Sequence, residues 1–271
     1  MYKTILAVSG GGPDAAMSFR LAAQLAALFD ATVDAVHFSE VRRGDADIAL
    51  QSMPFLKSDS DTRVEGRARE SERAYRELIA PLPGATFSGS GLTRARLVAM
   101  GRDSSLLLLG RPGTDPENIA PEIVRAALYE CARPVLVAPP HPGTSAMSSV
   151  VVAWNGSAQA ARAVGYAMPF LARAEKVTIL VAGAAPDTIG TPFLVRTLGR
   201  HGIATMVETM DPGDVSGRAR GRALLDYTRQ KGAGLLVMGA YGHGGLSNFL
   251  GLGGATAKVI SSCPVPLLLA H

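Results

Sequence analysis

Cysteine is nearly absent from this chain: its 271 residues hold two, Cys131 and Cys263. Neither has the paired spacing of a zinc site or a redox dithiol, which excludes a disulfide framework and leaves both thiols as small buried hydrophobes. Charge is sparse as well, at 18% of residues against 47% hydrophobic, too little for general disorder and enough apolar surface for packed cores. The 27 basic residues are scattered among 23 acidic ones, for a formal net charge of +4. No basic run is interleaved with aromatics, so the charges read as a solvated surface and nucleic acid is not an expected partner. Long apolar runs are missing too. No stretch approaches the roughly 18 residues of a membrane span, and the opening MYKTILAV runs into a strand instead of a cleavable signal. The expectation is a cytoplasmic protein with no membrane partner. The five histidines stand at no metal-ligand spacing, and no nucleophile can be paired with a base, so no catalytic or metal-ligating residue is assigned.

What is present is a repeat. Thr4-Ile5-Leu6-Ala7-Val8 followed by Gly10-Gly11 recurs as Val150-Val151-Val152-Ala153-Trp154 followed by Gly156-Ser157. Each copy leads into a segment with apolar residues at helical spacing, Ala16, Phe19, Ala23 and Ala26 in one and Ala161, Val164, Met168 and Leu171 in the other. Each segment then feeds a β-branched run, Thr32 to Phe38 and Lys176 to Ala182. Leu106 to Gly110 parallels Leu235 to Gly239. Arg133-Pro134-Val135-Leu136-Val137 parallels Cys263-Pro264-Val265-Pro266-Leu267. Five strands alternating with helices in each half predict parallel sheets covered on both faces, with a ligand site beyond the carboxyl ends of the first and fourth strands. The segment Pro139 to Ser145 has linker composition. The boundary falls near residue 148 and separates domains at 1–140 and 149–271. Residues 40–61, with Arg42, Arg43, Asp45, Asp47 and Ser58 to Asp61, form a polar excursion that the second half lacks, expected as a lid or mobile loop.

The chemistry concentrates after the fourth strand of the second half, where Gly239-Ala240-Tyr241-Gly242-His243-Gly244-Gly245 continues to Gly251-Leu252-Gly253-Gly254-Ala255-Thr256. Seven of these eighteen positions are glycine. Glycine lets backbone approach a phosphate, and the free amides at a helix start point at the same anion. The order strand, Gly-x-x-Gly, spacer, Gly-Gly, helix, Pro-Val strand resembles the ATP-binding signature of the universal stress protein family. Trp154-Asn155-Gly156-Ser157 and Gly-Ala-Tyr-Gly-His are similar to the second domain of its bacterial tandem branch.

The resemblance covers both halves. It implies an α/β fold of two doubly wound, Rossmann-like (adenine nucleotide hydrolase-like) parallel five-stranded sheets of order 3-2-1-4-5, paired edge to edge through their last strands. It implies adenosine at Ala153, Trp154, Asn155 and Ala182, and phosphates at Met238, Gly239, Gly242, Gly253, Gly254 and Ala255; by its own chemistry His243 is either a further phosphate contact or a solvent-facing loop histidine. The cofactor would be ATP, with magnesium as its usual companion. Three departures stand out. Asn155 replaces the usual acidic residue and brings no charge for a metal. Gly242 and Gly253 stand one residue further apart than the pattern, and Gly254 replaces a hydroxyl residue, for which Thr256 is the substitute. Lys258 is a candidate phosphate neutraliser, and Tyr241 and Trp154 are candidates to pack on adenine.

The first half keeps Gly110-Arg111-Pro112-Gly113 but no second glycine pair. Pro112 removes an amide, and Asp115 and Glu117 put negative charge where an anion would sit. A structural or regulatory role is expected for it. Ser9-Gly10-Gly11-Gly12-Pro13-Asp14 partly resembles the loop of ATP pyrophosphatases, with Pro13 where that loop has aspartate. Three functions follow: a stress-response protein binding ATP in its second domain with at most slow hydrolysis, a scaffold for an unknown protein partner with a vestigial glycine loop, and a pyrophosphatase-type enzyme. A homodimer is left open beside the pairing of the two halves.

Overall fold

The structure, a computed structural model, describes residues 1–11, 15–38, 59–89, 93–112, 118–139, 141, 147–211, 213, 215–241 and 254–271. The first half runs β1 (Thr4–Ser9), α1 (Ala15–Phe29), β2 (Thr32–His37), α2 (Asp59–Leu78), β3 (Thr86–Ser88), α3 (Arg94–Asp103), β4 (Leu106–Leu109), α4 (Pro121–Glu130) and β5 (Val135–Val137). The second half repeats that order with β6 (Ser149–Trp154), α5 (Ala158–Leu171), β7 (Lys176–Ala182), α6 (Thr191–Arg200), β8 (Thr205–Met210), α7 (Gly217–Gln230), β9 (Leu235–Gly239), α8 (Ala255–Ser262) and β10 (Leu267–Ala270), and a 3-10 turn at Pro186–Ile189 precedes α6.

All ten strands join one sheet in the order β3-β2-β1-β4-β5-β10-β9-β6-β7-β8. Each half therefore has the strand order 3-2-1-4-5 in parallel. The halves meet where β5 runs antiparallel to β10, with Leu267 opposite Val137 and Leu269 opposite Val135. That pairing covers two edges that would otherwise present unpaired backbone groups. Strands such as Leu106–Leu109 are buried at all four positions, as expected where helices cover both faces and side chains of either parity enter a core.

Two apolar layers lie on the two faces, and both run across the junction. On one face α1, α2, α5 and α6 cover a core containing Phe19, Phe29, Phe170 and Leu198. There Tyr2 and Phe29 of the first half meet Phe170 of the second, with ring centroids 5.0 to 5.5 Å apart. On the other face α3, α4, α7 and α8 cover Leu97, Ile123, Leu225 and Val259. Three helices begin at a side-chain cap, where the hydroxyls of Thr93, Ser157 and Ser216 accept from the amides of Arg96, Ala160 and Ala219.

The structure refines three expectations. The match of Pro134 with Pro264 slips by two residues: Leu107 N donates to Pro134 O and Leu236 N to Pro266 O, each at 3.0 Å, so Pro266 is the true counterpart. The buried face of α5 is Ala160, Ala163, Val164, Ala167, Phe170 and Leu171, while Ala161 is exposed. The prolyl at position 169 and the small residues had blurred the period. Residues 59–61 of the polar excursion open α2, whereas residues 40–58 lie outside the described residues. Both cysteines are buried and unpaired, with thiols pushed up to about 11 by burial. No described helix is long and apolar enough to cross a membrane.

Candidate functional site

The crossovers place the ends of β6 and β9 side by side, with Ala153 opposite Met238 and, on the other flank of β6, Trp154 opposite Val181. Gly239 follows Met238, and its glycine is required. A Cβ there would stand 2.6 Å from Ala160 N and 2.7 Å from Gln159 C, so only a bare backbone lets the end of β9 pass under the first turn of α5. The N-terminus of α5 is itself closed. Asn155 Oδ1 accepts from Ser157 N at 3.2 Å and from Ser157 Oγ at 2.7 Å, and Ser157 Oγ accepts from Ala160 N at 3.1 Å. Asn155 is exposed, with its carbonyl end committed locally and its amide donor end left for other work.

α8 is different. Its N-cap, Gly254, sits at φ −74° and ψ 159° and makes no side-chain cap. Any residue adopts those angles, so the backbone conformation does not itself require glycine there. The first intrahelical bond runs from Lys258 N to Gly254 O at 3.2 Å, which puts the amides of Ala255, Thr256 and Ala257 ahead of it. These residues are half-buried. Because α8 runs back along the parallel sheet, its N-terminus lies at the carboxyl end of the strands, the same end as Ala153 to Asn155 and Met238 to Gly239. Ala182 ends β7 there and is exposed. Gly242, His243 and Gly253 lie outside the described residues.

Three of the candidate side chains make contacts within the protein. Trp154 packs with the core on the α5–α6 face, and its Nε1 donates to Ile189 O at 3.1 Å. Lys258 Nζ donates to Ser262 Oγ at 3.0 Å, towards the C-terminal end of α8. Tyr241 stacks on Tyr129 of the first half, with centroids 6.2 Å apart, and burial pushes its hydroxyl pKa upward. The 3-10 turn also closes on Gly156, which sits at φ 72° and would bring a Cβ to 2.9 Å from Ile189 O.

The same strand end in the first half holds a polar cluster with no forerunner in the sequence reading. Gly11 N donates to Ser9 Oγ at 3.1 Å, Ser9 Oγ meets Ser71 Oγ at 2.9 Å, and Ser71 Oγ meets His37 Nδ1 at 2.9 Å. The run has two consistent directions: Ser9 donates to Ser71 and Ser71 to Nδ1 with the ring proton on Nε2, or Nδ1 donates to Ser71 and Ser71 to Ser9 with the ring proton on Nδ1. Nε2 is buried without a hydrogen-bond partner among the described residues. Burial first, and then the Arg67 charge, lower the His37 pKa to about 4. Arg67 also covers Gly11, whose φ is 78° and whose Cβ would fall 2.4 Å from Arg67 O. Ser9 is fully buried, so the Ser9–Gly11 end of the pyrophosphatase-like segment turns into the protein, and residues 12–14 lie outside the described residues. Sequence separations of 34 and 62 residues hid the cluster.

Comparison with known proteins agrees with this architecture. Residues 214–271 match the model of the universal stress protein family. Over 99% of the chain the fold is similar to a universal stress protein from Archaeoglobus fulgidus, with a TM-score of 0.63, 16% identity and 96% of that chain covered. It is likewise similar over 99% of its length to a putative universal stress protein from Pseudomonas aeruginosa, with a TM-score of 0.54, 14% identity and 93% of that chain covered. A functionally unknown protein from Pseudomonas aeruginosa matches with a TM-score of 0.55 at 14% identity, covering 99% of this chain and 92% of that one. No curated protein matches. The C-terminal segment thus matches the universal stress protein family model, and the fold repeated in both halves is similar to those structures over nearly the whole chain.

Proposed function

We propose that the second half binds ATP and that the protein serves in a stress response as a nucleotide-responsive regulator rather than a strong catalyst. The observation that carries this reading is the start of α8. Among the described residues no side chain caps the amides of Ala255, Thr256 and Ala257, at the carboxyl end of a parallel sheet, directly after a glycine-rich stretch. Such a terminus attracts phosphate through its free N–H groups and its dipole. The counterpart in the first half, α4, begins instead with Pro121, which has no amide to offer. One ATP per chain follows.

On this reading adenosine lies along Ala153, Trp154, Asn155 and Ala182, through backbone and the Asn155 amide rather than by stacking on the Trp154 ring. The phosphates lie against Met238, Gly239, Gly242, His243, Gly253, Gly254, Ala255 and Thr256. Magnesium travels with the phosphates, since Asn155 supplies no carboxylate. Residues 1–140 and 149–271 act as the two domains, in the cytoplasm.

Ala255→Pro tests the proposal. Proline at the first helical position preserves the helix and deletes one amide. One charge-assisted hydrogen bond is worth at least about 1.5 kcal/mol, so ATP affinity should fall about tenfold with the melting temperature unchanged. Calorimetry that found no ATP binding by the parent protein, or equal affinity in the variant, would sink the reading.

A further inference from the structure

We propose that the first half holds the two points between which the glycine-rich stretch is strung: Tyr129 fixes Tyr241, where the chain leaves β9, and Arg111 fixes α8, where it returns. This rests on the ATP reading for its consequence but not for its geometry. Tyr241 is the residue at which the chain leaves the end of β9 for the glycine-rich stretch. It sits at φ 57°, a left-handed conformation that costs a bulky residue about 1 to 2 kcal/mol and that persists only where surroundings enforce it.

Those surroundings include the first half. The Tyr241 ring lies near parallel to that of Tyr129 at the end of α4, at 29°. Tyr129 in turn packs against His271, 4.0 Å between centroids. His271 Nδ1 meets Ala240 O at 3.0 Å, and Ala240 N donates to Ala270 O at 2.8 Å. The residue before Tyr241 is thereby held on both its amide and its carbonyl, and Tyr241 itself is held by its ring.

The second anchor is at the far end of α8. Arg111 follows Gly110 at the end of β4 and donates through Nε and Nη2 to Ser261 O, at 3.0 and 2.6 Å. A guanidinium at a helix C-terminus satisfies an orphan carbonyl and complements the dipole of the helix whose other end faces the phosphates.

The two anchors are related by the repeat. The strand registers match Leu107 and Val135 with Leu236 and Leu267, which makes Ser261 the counterpart of Tyr129. Each half thus lays a residue just past its fourth strand onto the last turn of the other's final helix: Arg111 onto α8, and Tyr241 onto α4. The half without a second glycine pair thus supplies contacts at Tyr241 and at the last turn of α8.

Hydrogen exchange and ATP titration of full-length Tyr129→Leu and Arg111→Gln, with Tyr241→Gly as a background, test the proposal. Without nucleotide, the amides of Tyr241 and of Ala255 to Ala257 should exchange faster in both variants while β6 and β7 keep their protection. ATP affinity should fall about fivefold in each, a coupling at the low end of the usual range. Glycine adopts the Tyr241 conformation without cost, so Tyr129→Leu should have no effect on affinity in the Tyr241→Gly background. Unchanged exchange in both variants, or a Tyr129→Leu effect that persists in that background, overturns the bracing, whatever ATP does. A parent that binds no ATP while the variants still exchange faster overturns the nucleotide reading and leaves the bracing intact.

Discussion

The two halves close the same strand ends by opposite means. At the ends of β1 and β2 the first half buries Ser9, His37 and Ser71 in a hydrogen-bonded chain beneath α2. At the ends of β6 and β7 the second half sets Trp154 against the carbonyl of Ile189 in a short 3-10 turn. The fourth strands differ again. Gly239 lies flush against the first turn of α5, whereas among the described residues a Cβ at Gly110 would come nearest to the Ile119 side chain, at 3.4 Å. The final helices complete the contrast: neither has a side-chain cap among the described residues, but one opens on Pro121, which has no amide, and the other on Ala255, which has one. A shared sheet therefore does not impose a shared site: the site depends on what each crossover lays over the strand ends.

The largest expected break in this comparison is at the paired glycines. Gly239→Ala should destabilise the protein by about 3 kcal/mol or more, because the contact is with backbone that cannot turn away, while Gly110→Ala should cost less than about 1 kcal/mol. Urea unfolding of both variants measures it, and equal losses would contradict the close packing of β9 on α5.

A pH series sharpens the contrast between the strand ends. The folded-state pKa of His37, about 4, lies below its ordinary 6.5, so the unfolded chain binds the extra proton first. The stability that comes from keeping the ring neutral is complete above pH 6.5 and is lost as pH falls towards 4, by up to about 3 kcal/mol. His37→Gln should remove that part of the slope. If the parent and the variant lose stability in parallel between pH 6.5 and 4, the ring is not the buried neutral group described above. The smallest effect is at the cap of α5. Ser157→Ala should cost about 1 kcal/mol, read from the same unfolding curves, and a neutral result would mean that Asn155 alone caps the turn.

Much of the architecture was legible because it depends on local pattern. The Leu106 to Leu109 run, the β-branched strands and the duplicated strand openings each report burial residue by residue, and burial on two faces requires helices between parallel strands. The glycine-rich stretch was legible for the same reason, since a helix start free of side chains is written in consecutive residues. The slip at Pro264 was not legible, because two prolines two residues apart satisfy the same motif and only the bond from Leu236 N to Pro266 O distinguishes them.

By itself the sequence determined the duplication, the alternation of strands and helices, the buried cysteines and the place of the glycine-rich stretch between β9 and α8, all of which follow from composition and period along the chain. Tertiary structure alone decided that His37 would meet Ser71, that the Trp154 ring would turn into the core, and that Tyr129 and Arg111 would reach across to the other half's helix and loop. Those contacts join residues dozens to more than a hundred positions apart. Their geometry depends on the packing of whole helices against a shared sheet, and no local period records it.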